Sequence, residues 1–96
     1  MTFDRKSIQE YCFRNTAKEH VVRVLDHVPA DESKTELETI LIRVTNLNFG
    51  HVSKFFVIEN YKGSYALFKT REIVALFKSD KLIEVVDKLI KYWMYR

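Results

Sequence analysis

Apolar residues recur along this chain in short runs with helical spacing. Leu37, Ile40, Leu41 and Val44 stand at i, i+3, i+4 and i+7, one face of a helix. Ser33 followed by Glu36 has the spacing of a capping box, which would start that helix. Thr39, Ile40, Ile42, Val44 and Thr45 are β-branched, so a strand over residues 33–46 competes. The agreement of face and cap selects the helix. Residues 46–50, Asn-Leu-Asn-Phe-Gly, interrupt the pattern with side chains that tolerate a tight turn. Val52, Phe55, Phe56 and Ile58 then form a second apolar face that stops at Lys62-Gly63, where glycine suits a helix end. Two short helices joined by a few residues have the outline of a helix-turn-helix.

The flanking segments supply a third wall and a change of period. Residues 4–14 read as a short helix with Asp4 as cap, Ile8, Tyr11 and Cys12 on one face, and Asn15 at its end. Thr16 with Glu19 is a second capping-box pair. Behind it Val21, Val24, Leu25 and Val28 keep the helical spacing until Pro29 stops it. Asp31-Glu32 falls in a polar connection. After Gly63, residues 65–68 and 73–77 read as two apolar strands around a polar tip at 69–72. A helix from Thr70 to the end is the competing reading. Ser79 opens a final helix with Leu82, Ile83, Val86, Leu89, Ile90 and Trp93 along one side. Glu84 with Lys88 and Asp87 with Lys91 are i, i+4 pairs in the favoured order. Val85, Tyr92, Met94 and Tyr95 extend its apolar surface beyond what one small core covers.

Length and composition narrow the classes. Ninety-six residues make one domain with a modest core. The net charge of +3 is unevenly spread: residues 51–96 hold nine Lys/Arg against five Asp/Glu, while residues 1–50 hold seven against eight. A basic second half suits a polyanion. One cysteine excludes an intrachain disulfide and fits a reducing, intracellular home. No run approaches the ~20 apolar residues of a membrane span, and the first residues lack a signal-peptide core. Nothing has the spacing of a zinc site, a phosphate loop or a nucleophile motif. His20 and His27 read as surface or half-buried residues, and no enzyme, metal or cofactor is expected. Aromatics near cations, namely Phe55, Phe56, Tyr61, Tyr65 and Phe68, have the chemistry to stack single-stranded bases, but such spacing more often marks core.

The run ILIRVTNLNFGHVSKFFVIENYKG resembles the reading segment of winged helix-turn-helix transcription regulators common in archaea and their viruses. Arg43, Asn46, Leu47, Asn48 and Phe49 stand in register with the family's Ile/Leu-x-Arg-Ala-x-Asn-Leu-Asn-aromatic run. Phe55-Phe56 stand where Tyr-Leu is usual, and Lys62-Gly63 fall at the family's Lys-Gly. The resemblance implies an α+β, mostly helical fold: a three-helix core, a β-hairpin wing and a C-terminal dimerisation helix. It divides the single domain into a helical extension (1–15), the core with its helix-turn-helix (16–63), the wing (64–78) and the last helix (79–96). A helix beginning near Asn48 would enter the major groove. With Val52, Phe55 and Phe56 inward, His51, Ser53 and Lys54 would reach bases or phosphates, Lys54 first. Arg43, Thr45, Asn46 and Asn48 would meet the backbone around the turn, and Lys69 and Arg71 would serve from the wing tip, with Lys62 in a similar but weaker role. Val86, Leu89, Ile90, Trp93 and Met94 would form a homodimer interface. The expected function is therefore a cytoplasmic, nucleoid-associated, sequence-specific regulator binding double-stranded DNA as a homodimer. A protein-binding module on the same scaffold, an inhibitor or adaptor, is the alternative.

Overall fold

Strand alternation, not helical spacing, organises the middle of the chain. A computed structural model describes residues 1–30, 36–48 and 50–94, with residues 93 and 94 as backbone alone. Its elements are α1 (Arg5–Asn15), β1 (His20–Val28), β2 (Leu37–Asn46), β3 (Val52–Tyr61), β4 (Ser64–Lys69), β5 (Phe77–Ser79) and α2 (Leu82–Met94). The five strands form one antiparallel sheet in the order β1-β2-β3-β4-β5. This overturns the mostly helical winged helix-turn-helix. The three segments given to its helical core are β1, β2 and β3, so the helix expected to begin near residue 48 is the strand Val52–Tyr61.

The physical reason lies in the register. Val24, Ile42 and Phe56 stand opposite one another across three strands, as do Ile40, Ile58 and Leu67 across the next three. With Val22 and Val44 these side chains are buried, and each lies two residues from the next on its strand. The other face is also apolar in part, at Leu25, Leu41, Val57 and Phe68. A strand that is apolar on both sides supplies hits at i, i+3, i+4 and i+7 without being a helix. Leu37 and Leu41, for example, complete the helical face of Ile40 and Val44 from the opposite side of the sheet.

Both helices cover one face. Ile8 and Cys12 of α1 and Leu82, Val85, Val86, Leu89 and Ile90 of α2 join the sheet residues in one buried cluster. Val85, expected to spill beyond the core, is inside it. The Asp4 cap of α1 follows the sequence reading, but Ser79, read as opening the last helix, is the final residue of β5, and α2 starts at Leu82. Asp4 accepts a hydrogen bond from the Ser7 amide at 2.7 Å. Before α2, Ser79 accepts one from the Lys81 amide at 3.1 Å and donates one to Glu84 at 2.6 Å. Thr16, read as the start of a helix, instead closes α1 by donating its hydroxyl to the Cys12 carbonyl. Ser33 and Asp31-Glu32 lie outside the described residues, and Glu36 meets Lys62 at 3.0 Å.

The wing reading is half right. β4 covers the first proposed strand, but β5 is confined to Phe77–Ser79, and Ile73, placed in a strand, is 94% exposed in the intervening loop. Lys62-Gly63 is the two-residue turn of the β3–β4 hairpin, with φ of 51° and 85°, the pairing of positive φ values that a tight hairpin requires. It ends a strand and not a helix.

Two side chains lock the helices to each other. The Tyr11 hydroxyl donates to Asp87 on α2. That bond, with burial adding to it, pushes the Tyr11 pKa up to about 12. A hydroxyl held neutral in the fold stabilises it below the ordinary tyrosine pKa near 10, and the contribution is lost as pH rises through about 12. Tyr11→Phe is expected to cost about 1–2 kcal/mol at neutral pH, the worth of a hydrogen bond to a carboxylate. Urea unfolding at stepped pH checks this: the gap between wild type and variant should close between pH 10 and 12. Cys12, packed beside it, has its thiol pushed up to about 12 by burial and by Asp87, so it is core and not a nucleophile.

Candidate nucleic-acid interface on the open sheet face

The sheet face turned away from the helices has no described element over it. Cross-strand pairing sets its residues in rows. One row is Arg23, Arg43 and Phe55. The next is Asp26, Leu41, Val57 and Phe68, with Leu25 in the β1 bulge beside it. On the other flank Thr45 and Ser53 face each other with hydroxyls 2.8 Å apart. The central row is chemically distinctive. Two guanidiniums stand on directly opposed residues, an arrangement that repels unless an anion lies between them. Among the described residues no carboxylate lies within ion-pair distance of either. Phe55 completes the row and is 42% exposed, offering a ring face beside Arg43.

Several expected contact residues share this neighbourhood, but by a different geometry. Arg43, Thr45 and Ser53 are on the open face, and Asn46, Asn48 and His51 are at the β2–β3 turn next to it. There the Asn46 side chain accepts from the Asn48 amide at 2.9 Å. Phe55, expected inward, is outward. Lys54, expected to lead base reading, stands opposite Val44 on the helix side. Lys69 is also on that side, its ammonium 5.4 Å from the Tyr92 ring centre. Arg71 lies in the loop after β4, and Lys62 is at the far end of the sheet beside Glu36. Of the expected dimer residues, Val86, Leu89 and Ile90 are buried in this chain's own core, so their side chains are not available to a second copy. The side chains of Trp93 and Met94 lie outside the described ones.

Folding also sorts the charges. β1 and β3 begin, and β2 and β4 end, at the same end of the sheet, and both helices run toward it. Lys18, Arg23, Arg43, Lys54, Lys69 and Arg71 gather in that half, against Glu19 and Glu72. Arg14 and Lys91 lie in the last turns of the helices, where they also offset the helix dipoles. The opposite half holds Asp4, Asp26, Glu36, Glu38, Glu59, Asp80 and Glu84 among its own lysines and arginines. Linear bookkeeping placed the basic excess in residues 51–96; in space it belongs to one end.

Comparison with family models, with curated proteins and with solved structures finds no match. The chemistry of the surface is therefore the basis for function. Among the described residues no cluster of three metal-ligating side chains occurs. Elsewhere a polar cluster joins His27 to Glu38 at 3.1 Å, with Asn60 donating to the same carboxylate at 3.0 Å. Phe3 meets the His27 ring edge-on. This cluster ties β1, β2 and β3 together at the acidic end, and among the described residues no hydroxyl or thiol nucleophile is hydrogen-bonded to it. Sequence reasoning missed Arg23 and the outward role of Phe55. The available signal was the alternation Val22-Arg23-Val24 and Ile42-Arg43-Val44, each an arginine flanked by two core residues on a strand.

Proposed function

We propose that this chain binds single-stranded nucleic acid across the open face of its sheet. The observation that carries the reading is the row Arg23–Arg43–Phe55: two adjacent cations with no ion-pair partner among the described residues, beside an exposed ring. Phosphates suit the guanidiniums, and a base suits the ring face of Phe55, with the apolar strip of Leu41, Val57 and Phe68 continuing the platform. A single strand fits better than a duplex. The surface is a broad sheet, and the segment expected to supply a groove-reading helix is β3. The basic end of the molecule supplies the long-range attraction.

Fluorescence anisotropy with a labelled fifteen-nucleotide oligothymidine, titrated against salt, tests this. Binding should weaken linearly in log–log form as salt rises, and a hairpin duplex of equal charge should bind less tightly. Phe55→Ala should cost about 1–3 kcal/mol of affinity, the worth of one stacked base. Lys54→Ala, on the helix side, should change it by less than twofold. Equal losses from the two variants would remove the platform reading. A second reading, a protein-binding module, draws on a different place: the exposed apolar pair Ile73 and Val74 in the β4–β5 loop.

A further inference from the structure

A groove of about 830 Å³ runs between α1 and the outer edge of β1. Arg5, Lys6, Lys18 and Arg23 line it together with Phe13, and among the described residues no acidic side chain does. Phe13 is 83% exposed although it sits on a helix. Arg23 belongs to both surfaces: it lines the groove and begins the row on the open face. The groove is therefore continuous with the platform around the β1 edge.

β1 is an edge strand, and a vacant edge would suggest an added polypeptide strand. This edge is occupied. The Gln9 side chain donates to the Val22 carbonyl at 2.6 Å and accepts from the Val24 amide at 2.7 Å. Arg5 donates to the Val24 carbonyl at 3.4 Å. An extended peptide would have to break these bonds before it could pair. A polyanion needs none of those backbone groups, only the cations on the rim. The lining thus favours a phosphate chain over an acidic polypeptide.

We infer that the groove between α1 and β1 holds the continuation of the nucleic-acid strand bound on the open face, with Arg5, Lys6 and Lys18 neutralising its phosphates after it rounds Arg23. This rests on the single-strand reading above and extends its footprint from the sheet to the helix.

Small folds that bind single strands cover roughly 4–16 nucleotides, so five- and fifteen-nucleotide oligothymidines separate the two surfaces. Wild-type protein should bind the longer one at least tenfold more tightly. The triple variant Arg5→Gln, Lys6→Gln, Lys18→Gln should reduce the longer oligonucleotide to the affinity of the shorter. It should leave the shorter within twofold and flatten the salt slope for the longer by about 2. Because Arg5 also touches β1, the double variant Lys6→Gln, Lys18→Gln is measured alongside, with thermal melting of each; it should give most of the effect with an unchanged melting point. Equal affinity of the two lengths for wild type, or equal losses for both lengths in the double variant, overturns the groove while leaving the platform. Failure of wild type to bind either length overturns both. Tighter binding of a labelled fifteen-residue oligoglutamate than of the long oligonucleotide, lost in the double variant, assigns the groove to an acidic polypeptide instead.

Discussion

Arg23→Glu combined with Arg43→Glu should abolish single-strand binding while leaving the fold intact. Each guanidinium–phosphate contact is worth about 1.5–3 kcal/mol as a charge-assisted hydrogen bond. Losing both costs about 3–6 kcal/mol, or roughly two to four decades in Kd. Two carboxylates in their place add repulsion to that loss. Both positions are on the open face, Arg23 exposed and Arg43 half-buried, and neither belongs to the buried cluster, so no core residue is removed. The single changes are informative beside the double one. Arg23→Glu alone converts an opposed like-charge pair into an opposed ion pair with Arg43, which should hold or raise the melting temperature. Isothermal titration and thermal melting on the same samples separate the two effects. A double variant that melts like wild type and still binds within threefold would show that the row is not the site.

Phe56→Ala should have the largest effect on stability. Its ring is fully buried at the crossing of β2, β3 and β4, opposite Ile42 and Lys69, with Tyr92 of α2 edge-on at 6.0 Å between centroids. Truncation leaves a cavity under the helix that neither the sheet nor α2 can close without shifting its other contacts. The cost should be about 3–5 kcal/mol, a large part of the ~5–15 kcal/mol of a typical domain. At ~4–8 °C per kcal/mol for a chain of this size, the midpoint should fall by tens of degrees. Phe55→Ala, the neighbouring residue on the same strand, should shift it by only a few degrees. The contrast between 55 and 56 tests the strand assignment directly, because a helix presenting both rings inward would lose comparably from either.

That pair also shows where the sequence could be read and where it could not. α1, its Asp4 cap, β4 and the apolar side of α2 were all recoverable, since each depends on residues within a few positions of one another, whereas Lys62-Gly63 was recognisable as a boundary but read as the end of a helix. β1, β2 and β3 were not. Their side chains are apolar on both faces, so periods of 2 and 3.6 collect nearly the same hits. What decides between them is the partner strand, which lies fifteen or more residues away for Val24 and Ile42. The β-branched run from Thr39 to Thr45 was the local evidence for a strand, and the apparent cap at Ser33–Glu36 outweighed it. The candidate site suffered the same way. Arg43, Thr45 and Ser53 could be named, but Arg23 joins them only through the β1–β2 register, and Lys54 leaves them because neighbouring strand residues point to opposite faces.

The sorting of charge between the two ends of the sheet has a consequence for kinetics. A body carrying only +3 overall would feel weak attraction if its charges were mixed evenly. With the net positive excess concentrated at one end, an approaching polyelectrolyte exerts a torque as well as a pull, and the molecule is turned basic end first before contact. Productive collisions then form a larger fraction of all encounters. Association should slow with ionic strength more steeply than the net charge alone would dictate, while the escape rate responds chiefly to the few groups in contact.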